Sequence, residues 1–420
     1  MNAPTEDFVL NAAQRAEVIT GLNQILPAHA VLHEVEDTKP YECDGLSLFR
    51  QLPMVVALPE TEEQVIQILK LANRLNVPVV ARGAGTGLSG GAQPHKHGIL
   101  LGMAKFNKIL KVDVQSRSAV VQPGVRNLAI SEAVAQHQLY YAPDPSSQIA
   151  CTIGGNVAEN SGGVHCLKYG LTVHNVLKVR AITIEGEIVE FGSEAPDAPG
   201  LELMNLVIGS EGMLAVVTEV TVKLVPKPAL AQVIMASFDD VANAGNAVAA
   251  VIAAGIIPAG LEMMDKRASQ MVEPFVKAGY DTEAEAILLL ESDGTPEEVA
   301  EEIAEMTRVL NGCGATAIKV SQSEAERLKF WAGRKNAFPA AGRVSPDYYC
   351  MDGTIPRRRL ADVLNAITEM EKKYDMRCAN VFHAGDGNLH PLILFDANKP
   401  EEIKRAEDFG AEILELCVEV

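Results

Sequence analysis

Two glycine-rich stretches about sixty positions apart constrain this chain more than any other feature. They are Arg82-Gly-Ala-Gly-Thr-Gly-Leu-Ser-Gly-Gly91 and Cys151-Thr-Ile-Gly-Gly-Asn-Val-Ala-Glu-Asn-Ser-Gly-Gly163, each following an apolar, strand-like run. Glycine lets backbone N–H groups approach a pyrophosphate closely and take positive φ where a turn demands it, and Thr86, Ser89 and Asn156 add side-chain donors. The pattern suits binding of a dinucleotide phosphate without a lysine. No Gly-Lys-Ser/Thr closes the first stretch, which excludes a Walker A loop, and the G-x-G-x-x-G spacing is matched by Gly85, Gly87 and Gly90. Taken alone, that stretch could also be a tight surface turn between a strand and the next element.

A chain of 420 residues with 48% hydrophobic content can bury a large core and suggests two or three domains. The longest apolar stretch, residues 247–261, contains Gly255 and Pro258 and falls short of the ~20 residues a bilayer helix needs. The opening residues, Met1-Asn-Ala-Pro-Thr-Glu-Asp7, lack a basic segment followed by an apolar one, so a cytoplasmic protein is expected. A net charge of −19 argues against nucleic acid, because no cation excess is present to displace counterions from phosphates. The one dense basic run, Arg357-Arg-Arg359, is either a solvated helix start or a docking patch for an acidic partner. Seven cysteines without a C-x-x-C pair support neither an iron–sulfur cluster nor a zinc knuckle and suggest reduced thiols.

Along the chain, residues 54–58 form a short apolar strand, 61–76 carry helical periodicity behind Thr61, and 77–81 are β-branched and lead into the glycine loop. A hairpin is expected where 179–184 meets 188–191 across Glu185-Gly-Glu187. Residues 216–225 alternate as a strand until Pro226-Lys-Pro228 breaks the pattern, and a domain boundary is placed there. Beyond it, strand-like and helix-like segments alternate (230–238, 239–254, 261–264, 286–291, 296–310, 317–320, 324–337). That alternation alone does not separate an antiparallel sheet backed by helices from a doubly wound sheet.

Within His383-Ala-Gly-Asp-Gly-Asn-Leu-His390, Asp386-Gly387 is the pair favoured in a two-residue type I′ turn. Such a turn would set His383 opposite His390 on one sheet face, Cβ atoms ~5 Å apart, where two imidazoles could share a divalent metal. The alternative is a histidine pair packed under a tight turn.

These segments carry a family resemblance. The run from Pro78 to Gly91, Pro143-Asp-Pro-Ser-Ser147, Thr152-Ile-Gly-Gly-Asn156, Lys168-Tyr-Gly170 and Ile208-Gly-Ser-Glu-Gly-Met-Leu214 together resemble the FAD-linked oxidases of the vanillyl-alcohol oxidase/p-cresol methylhydroxylase type. The double-histidine segment narrows the likeness to their 2-hydroxy acid dehydrogenase branch, and the likeness runs from about Leu52 to Val420. It implies an α+β fold: an N-terminal helical extension over 1–51, a two-subdomain FAD-binding domain of the PCMH type over 52–227, and a ferredoxin-like α/β-sandwich cap over 228–420.

The resemblance also implies site residues. Cofactor contacts are expected from Arg82, Gly83, Ala84, Gly85, Thr86, Gly87, Leu88, Ser89 and Gly90, from Pro143, Asp144 and Ser147, and from Thr152, Gly154, Gly155 and Asn156. Asn160, Ser161, Gly162, Glu211, Gly212 and Val217 complete that set. The FAD is expected to be non-covalent, since no histidine stands in the glycine loop and His165 is a poor substitute. Arg334 occupies the position of a carboxylate-binding arginine and suits it chemically, because a guanidinium matches a carboxylate in two parallel hydrogen bonds; a surface arginine on a helix is the alternative. His383 and His390 are the expected ligands of zinc or a similar divalent ion and, when not bound to it, candidate catalytic bases. The family's third ligand and its base sit in a Gly-Glu-His-Gly motif that this sequence lacks, so a C-terminally incomplete chain is expected.

The implied activity is oxidation of a small 2-hydroxy acid, glycolate to glyoxylate or D-lactate to pyruvate, with a longer acid as a further option. Electrons would pass to an iron–sulfur subunit or a quinone rather than NAD, and a second FAD-binding subunit is expected beside the iron–sulfur one. The protein would be cytoplasmic, or peripheral at the inner face of the membrane through those partners. A non-catalytic FAD-binding or assembly module is the competing reading.

Overall fold

The computed structural model describes residues 9–195 and 200–420. They form two compact units. The first extends to Gly162 and resumes over Leu171–Pro226, and the second comprises Gly163–Gly170 and Lys227–Val420.

The first unit holds two main sheets. In the smaller one, Val55–Ala57, Ile99–Gly102 and Val79–Arg82 run parallel in that spatial order, and the short strand Val31–Leu32 pairs antiparallel with Val55–Ala57 at the edge. The helix Glu62–Leu75 connects two of the parallel strands. A capping box starts it, Thr61 accepting from the Gln64 N–H while Gln64 reaches back, and Asn76 at φ 52° ends it. Its apolar stripe of Val65, Ile68, Leu69 and Ala72 is buried in one core with Val18 and Leu22 of the helix Ala12–Ile25. The larger sheet is antiparallel, in the order Ile109–Asp113, Ser118–Val121, Val216–Lys223, Val176–Ile182 and Ile188–Gly192. Its expected hairpin forms, Ile182 pairing with Ile188 and Gly186 taking φ 76° in the loop.

In the second unit, Leu230–Phe238, Gly260–Asp265, Ala286–Gly294 and Ala317–Val320 alternate with the helices Val241–Ala253, Lys266–Val276 and Pro296–Gly312. The strands lie in the order fourth, first, third, second, all pairs antiparallel, which is the ferredoxin-like arrangement expected. Arg377–His383, Asn388–Phe395 and Asp347–Cys350 extend the sheet beyond Gly260–Asp265. Two of this unit's longer helices depart from the alternation read in the sequence. Lys266–Val276 contains Pro274, and Ala337–Val344 carries Pro339 in its first turn, where a missing N–H costs nothing.

Residues 163–170 belong to the second unit because two buried carboxylates of the strand Ala286–Gly294 hold them. Lys168 Nζ and Tyr169 OH bond the two oxygens of Asp293 at 2.5 and 2.6 Å, and His165 Nε2 lies 3.1 Å from Glu291 Oε1. The other Glu291 oxygen accepts from Trp331 Nε1 and Arg327 Nη1. Burial by itself raises the Glu291 carboxyl, but the His165 hydrogen bond and the charges of His165 and Arg327 outweigh it and draw the group down to about 2. A depressed carboxyl contributes stability that is present above its unfolded value near 4.5 and lost as pH falls towards 2. Glu291→Gln should therefore cost on the order of 3 kcal/mol at neutral pH and flatten the acid limb of a urea-unfolding series between pH 4.5 and 2. An unaltered acid limb would contradict the assignment.

Candidate functional site

The first glycine stretch leaves the carboxyl end of the parallel strand Val79–Arg82 as an irregular loop, and no helix follows it before Ile99–Gly102. The strand–turn–helix context of a dinucleotide fingerprint is thus absent. The second stretch enters the helix Ile153–Glu159. The two meet: a Cβ on Gly83 would collide with Thr152 Oγ1, and one on Gly87 with the Glu159 carboxylate. Gly85 has φ 67°, a conformation that strains any side chain, and its Cβ would overlap the Arg82 guanidinium, which would have to move. Gly90 and Gly212 also take positive φ, and Glu211 does so at 54°.

Several expected contact residues are committed to the protein itself. Asn156 is buried, its Oδ1 accepting from Asn127 Nδ2 at 3.0 Å and its amide facing Cys151 and Ser161. Asn160 Oδ1 accepts from the Val173 N–H, and the Pro143 carbonyl accepts from Asn127. Asp144 is buried, Gly154 bonds the Pro123 carbonyl, and Val217 pairs with Ala181 in the larger sheet. Thr86, Leu88, Ser89 and Ala84 remain at least partly accessible on the first loop. Thr152 Oγ1 is buried without a hydrogen-bond partner. A glycine cradle that excludes side chains and leaves such an oxygen unmatched fits a polar dinucleotide.

In the second unit a buried cluster gathers around Glu262, on the strand Gly260–Asp265. Met263 pairs with Phe382, so Glu262 stands across from His383 on the neighbouring strand. Its two oxygens serve different partners: Oε1 lies 2.6 Å from His383 Nδ1, and Oε2 accepts from Arg334 Nε at 2.5 Å. Arg334, on the helix Glu324–Lys335, is 1% exposed, which excludes the surface alternative. Its Nη2 lies 3.4 Å from His383 Nδ1. The His390 ring meets that of His383 edge-on with centroids 5.1 Å apart. Burial, then the charges of His383 and Arg334, push His390 well below the usual imidazole range. His390 Nδ1 is buried without a hydrogen-bond partner, as is Asn388 Oδ1 nearby in sequence; Asp352 Oδ1 stands 3.8 Å from His390 Nδ1.

The two-residue turn at Asp386-Gly387 does not form. His383 pairs with Asn388 and Val381 with His390, so residues 384–387 close the loop, and only Gly387 takes positive φ. Tertiary bonds fix this register: the Gly385 N–H donates to Leu261 O, Arg357 Nη1 to Gly385 O, and the Ile355 N–H to Gly387 O. A displacement of two residues preserves the face, which is why the rings still meet, now as diagonal neighbours. Arg357 thus supports this loop from within the basic run. The expected metal centre is likewise incomplete. Among the described residues no group of three metal-ligating side chains gathers, and His383 already faces Glu262 and a guanidinium. Two imidazoles so placed do not make a closed ligand set. His165 is bonded to Glu291, and Trp331 is buried against the same carboxylate rather than free to stack on a ring ligand. Glu262 went unnoticed in the sequence, although a lone acid inside the apolar run 260–264 was a readable signal.

Comparison with known proteins decides the family. Models of the FAD binding domain and of the C-terminal domain of FAD-linked oxidases match residues 53–192 and 227–420. The chain belongs to the FAD-linked oxidases. Glycolate oxidase subunit GlcD of Escherichia coli (strain K12) is 60% identical over 414 residues, covering 99% of this chain and 83% of the relative. D-lactate dehydrogenase of Anaerostipes hadrus is 31% identical over 401 residues, covering 93% and 83%. Among solved structures, p-cresol methylhydroxylase with substrate bound superposes with a TM-score of 0.82 at 17% identity, over 97% of this chain and 88% of that one, and so shares the fold. For this FAD-linked oxidase, Gly85→Val should abolish retention of FAD through purification, because the added atoms must displace the Arg82 side chain or the loop backbone. A variant that elutes with its full flavin absorbance would show the cradle to be misassigned.

Proposed function

We propose that this chain oxidises a small 2-hydroxy acid, glycolate or D-lactate, using FAD held by residues 52–227 and substrate held by the cap over 228–420. The observation that carries the reading is the buried His390 Nδ1, which makes no hydrogen bond, beside the buried Arg334–Glu262–His383 cluster, in a chain 60% identical to a protein named for glycolate oxidation. Bound FAD supplies the two-electron acceptor for the Cα hydride. Arg334 would orient the substrate carboxylate through its terminal nitrogens, its Nε being held by Glu262. His390 Nδ1 would take the hydroxyl proton, a role that requires the unprotonated ring its environment favours. His383, tied to Glu262, fixes the floor against which the acid sits.

Among the described residues the divalent ion implied by resemblance finds two ring nitrogens and no third ligand, too few to hold it firmly. Zinc titration of the purified protein should accordingly give weak binding that does not survive gel filtration; stoichiometric retention would reveal a ligand unaccounted for. The word subunit in the relative's name supports assembly with further chains, proposed as a second FAD-binding subunit and an iron–sulfur subunit that removes electrons. No helix among the described residues is long and apolar enough to cross a membrane, in keeping with a proposed cytoplasmic or peripheral location.

Anaerobic addition of glycolate or D-lactate should bleach the oxidised flavin band, the faster acid naming the substrate. Arg334→Lys should weaken the apparent affinity for that acid roughly tenfold or more while FAD content stays unchanged, since lysine lacks the planar fork. Bound flavin that neither acid reduces would favour the non-catalytic module instead.

A further inference from the structure

The stretch before residue 53 lies outside the matched FAD binding domain, yet part of it packs against the first glycine loop. Gly45 shows how closely. A Cβ there would lie 2.7 Å from the Gly87 carbonyl oxygen and 2.8 Å from that of Thr86, so the backbone of residues 44–46 runs directly against the loop. The Tyr41 ring lies 5.8 Å from the Arg82 guanidinium. Gln93, at the far end of the loop, bonds the same stretch: Nε2 donates to Asp44 Oδ1 at 3.0 Å, to Leu46 O at 3.3 Å and to Phe49 O at 3.0 Å.

Asp44 is the informative residue. It is 6% exposed, and its Oδ1 accepts from both Gln93 and the Leu46 N–H. Its Oδ2 is buried and accepts from nothing. Arg82 is near enough for their charges to interact but donates to Ala92 O instead, and Glu211, an acid also in electrostatic range, offers only repulsion. A buried carboxylate oxygen without a donor is costly enough that it marks a place where a donor arrives with a ligand.

We propose that residues 41–46 form part of the flavin cradle and that Asp44 Oδ2 accepts a hydrogen bond from a hydroxyl of the bound dinucleotide. The inference rests on reading the loop 82–91 as the pyrophosphate site. A pyrophosphate has no proton to give at neutral pH, so the carboxylate is not its partner. The sugar portions do have protons: the ribityl chain and the ribose each carry hydroxyls, and an acid beside a glycine loop is a known way to read them. The carboxylate also repels phosphate, which would keep the pyrophosphate on the glycine backbone and direct the hydroxyl towards Asp44.

The test measures binding of FAD, and separately FMN, to the deflavinated protein by flavin fluorescence. Asp44→Ala and the isosteric Asp44→Asn should each weaken FAD binding, by roughly tenfold to a hundredfold for alanine and less for asparagine, the range of one hydrogen bond to a charged group. Gln93→Ala, which releases Oδ1 but keeps Oδ2, should stay within about threefold of the parent. Equal weakening of FMN and FAD assigns the hydroxyl to the ribityl chain, and weakening of FAD alone assigns it to the adenosine ribose. Unchanged FAD affinity in both Asp44 variants overturns the proposal, as does a loss in Gln93→Ala equal to that in Asp44→Ala, which would make the role merely structural. Retention of FAD by Gly85→Val would instead overturn the cradle reading beneath it.

Discussion

The Glu262 carboxylate bears two bonds on which the buried cluster of the second unit rests, one oxygen turned to the Arg334 guanidinium and the other to the His383 ring. All three side chains are largely withdrawn from solvent. Three such groups so deep in a fold are tolerable only together, because removing one partner leaves the others charged or polar without compensation. The extension of the sheet beyond its four ferredoxin-like strands makes the meeting possible. It sets the strand Gly260–Asp265 next to Arg377–His383, across 121 positions of sequence, and brings the helix bearing Arg334 against the same sheet.

The consequence for chemistry is positional. Arg334 has its Nε held, so its guanidinium plane is fixed rather than free to swing as a long side chain does on a surface. His383 is held at Nδ1, which fixes its ring, and His390 packs edge-on against it with one nitrogen unmatched. A site assembled this way costs little reorganisation when a ligand arrives, the condition under which fixed dipoles and charges act most strongly.

Much of this was legible in the sequence, and the parts that were not share a physical reason. Glycine loops are readable because positive φ and exclusion of Cβ are local demands, and Gly85, Gly90 and Gly212 all take positive φ. The helix 62–75 is readable because its capping box and its stripe both lie within the helix and its cap. The histidine pair was readable as to face but not register, since two residues of slippage change partners without changing sides and distant bonds from Leu261, Ile355 and Arg357 choose between them. Side-chain duties resisted reading most. Asn156 and Asn160 stand in a motif that suggests ligand contact, yet their amides are bonded to the protein, and Glu262 became visible as a hub only once two strands and a helix converged on it. The helix 266–276 was obscured by Pro274, which the packed cap accommodates near the helix end.

Nitrogen-15 NMR of histidine-labelled protein at neutral pH measures directly whether the Glu262 carboxylate fixes the His383 ring through its Nδ1. A carboxylate oxygen 2.6 Å from Nδ1 requires a proton on that nitrogen. The expected result is a protonated Nδ1 on His383 that is lost in Glu262→Gln, whose amide would donate to the ring instead of accepting from it. An unprotonated Nδ1 in the parent protein, or a His383 signal indifferent to Glu262→Gln, would contradict it.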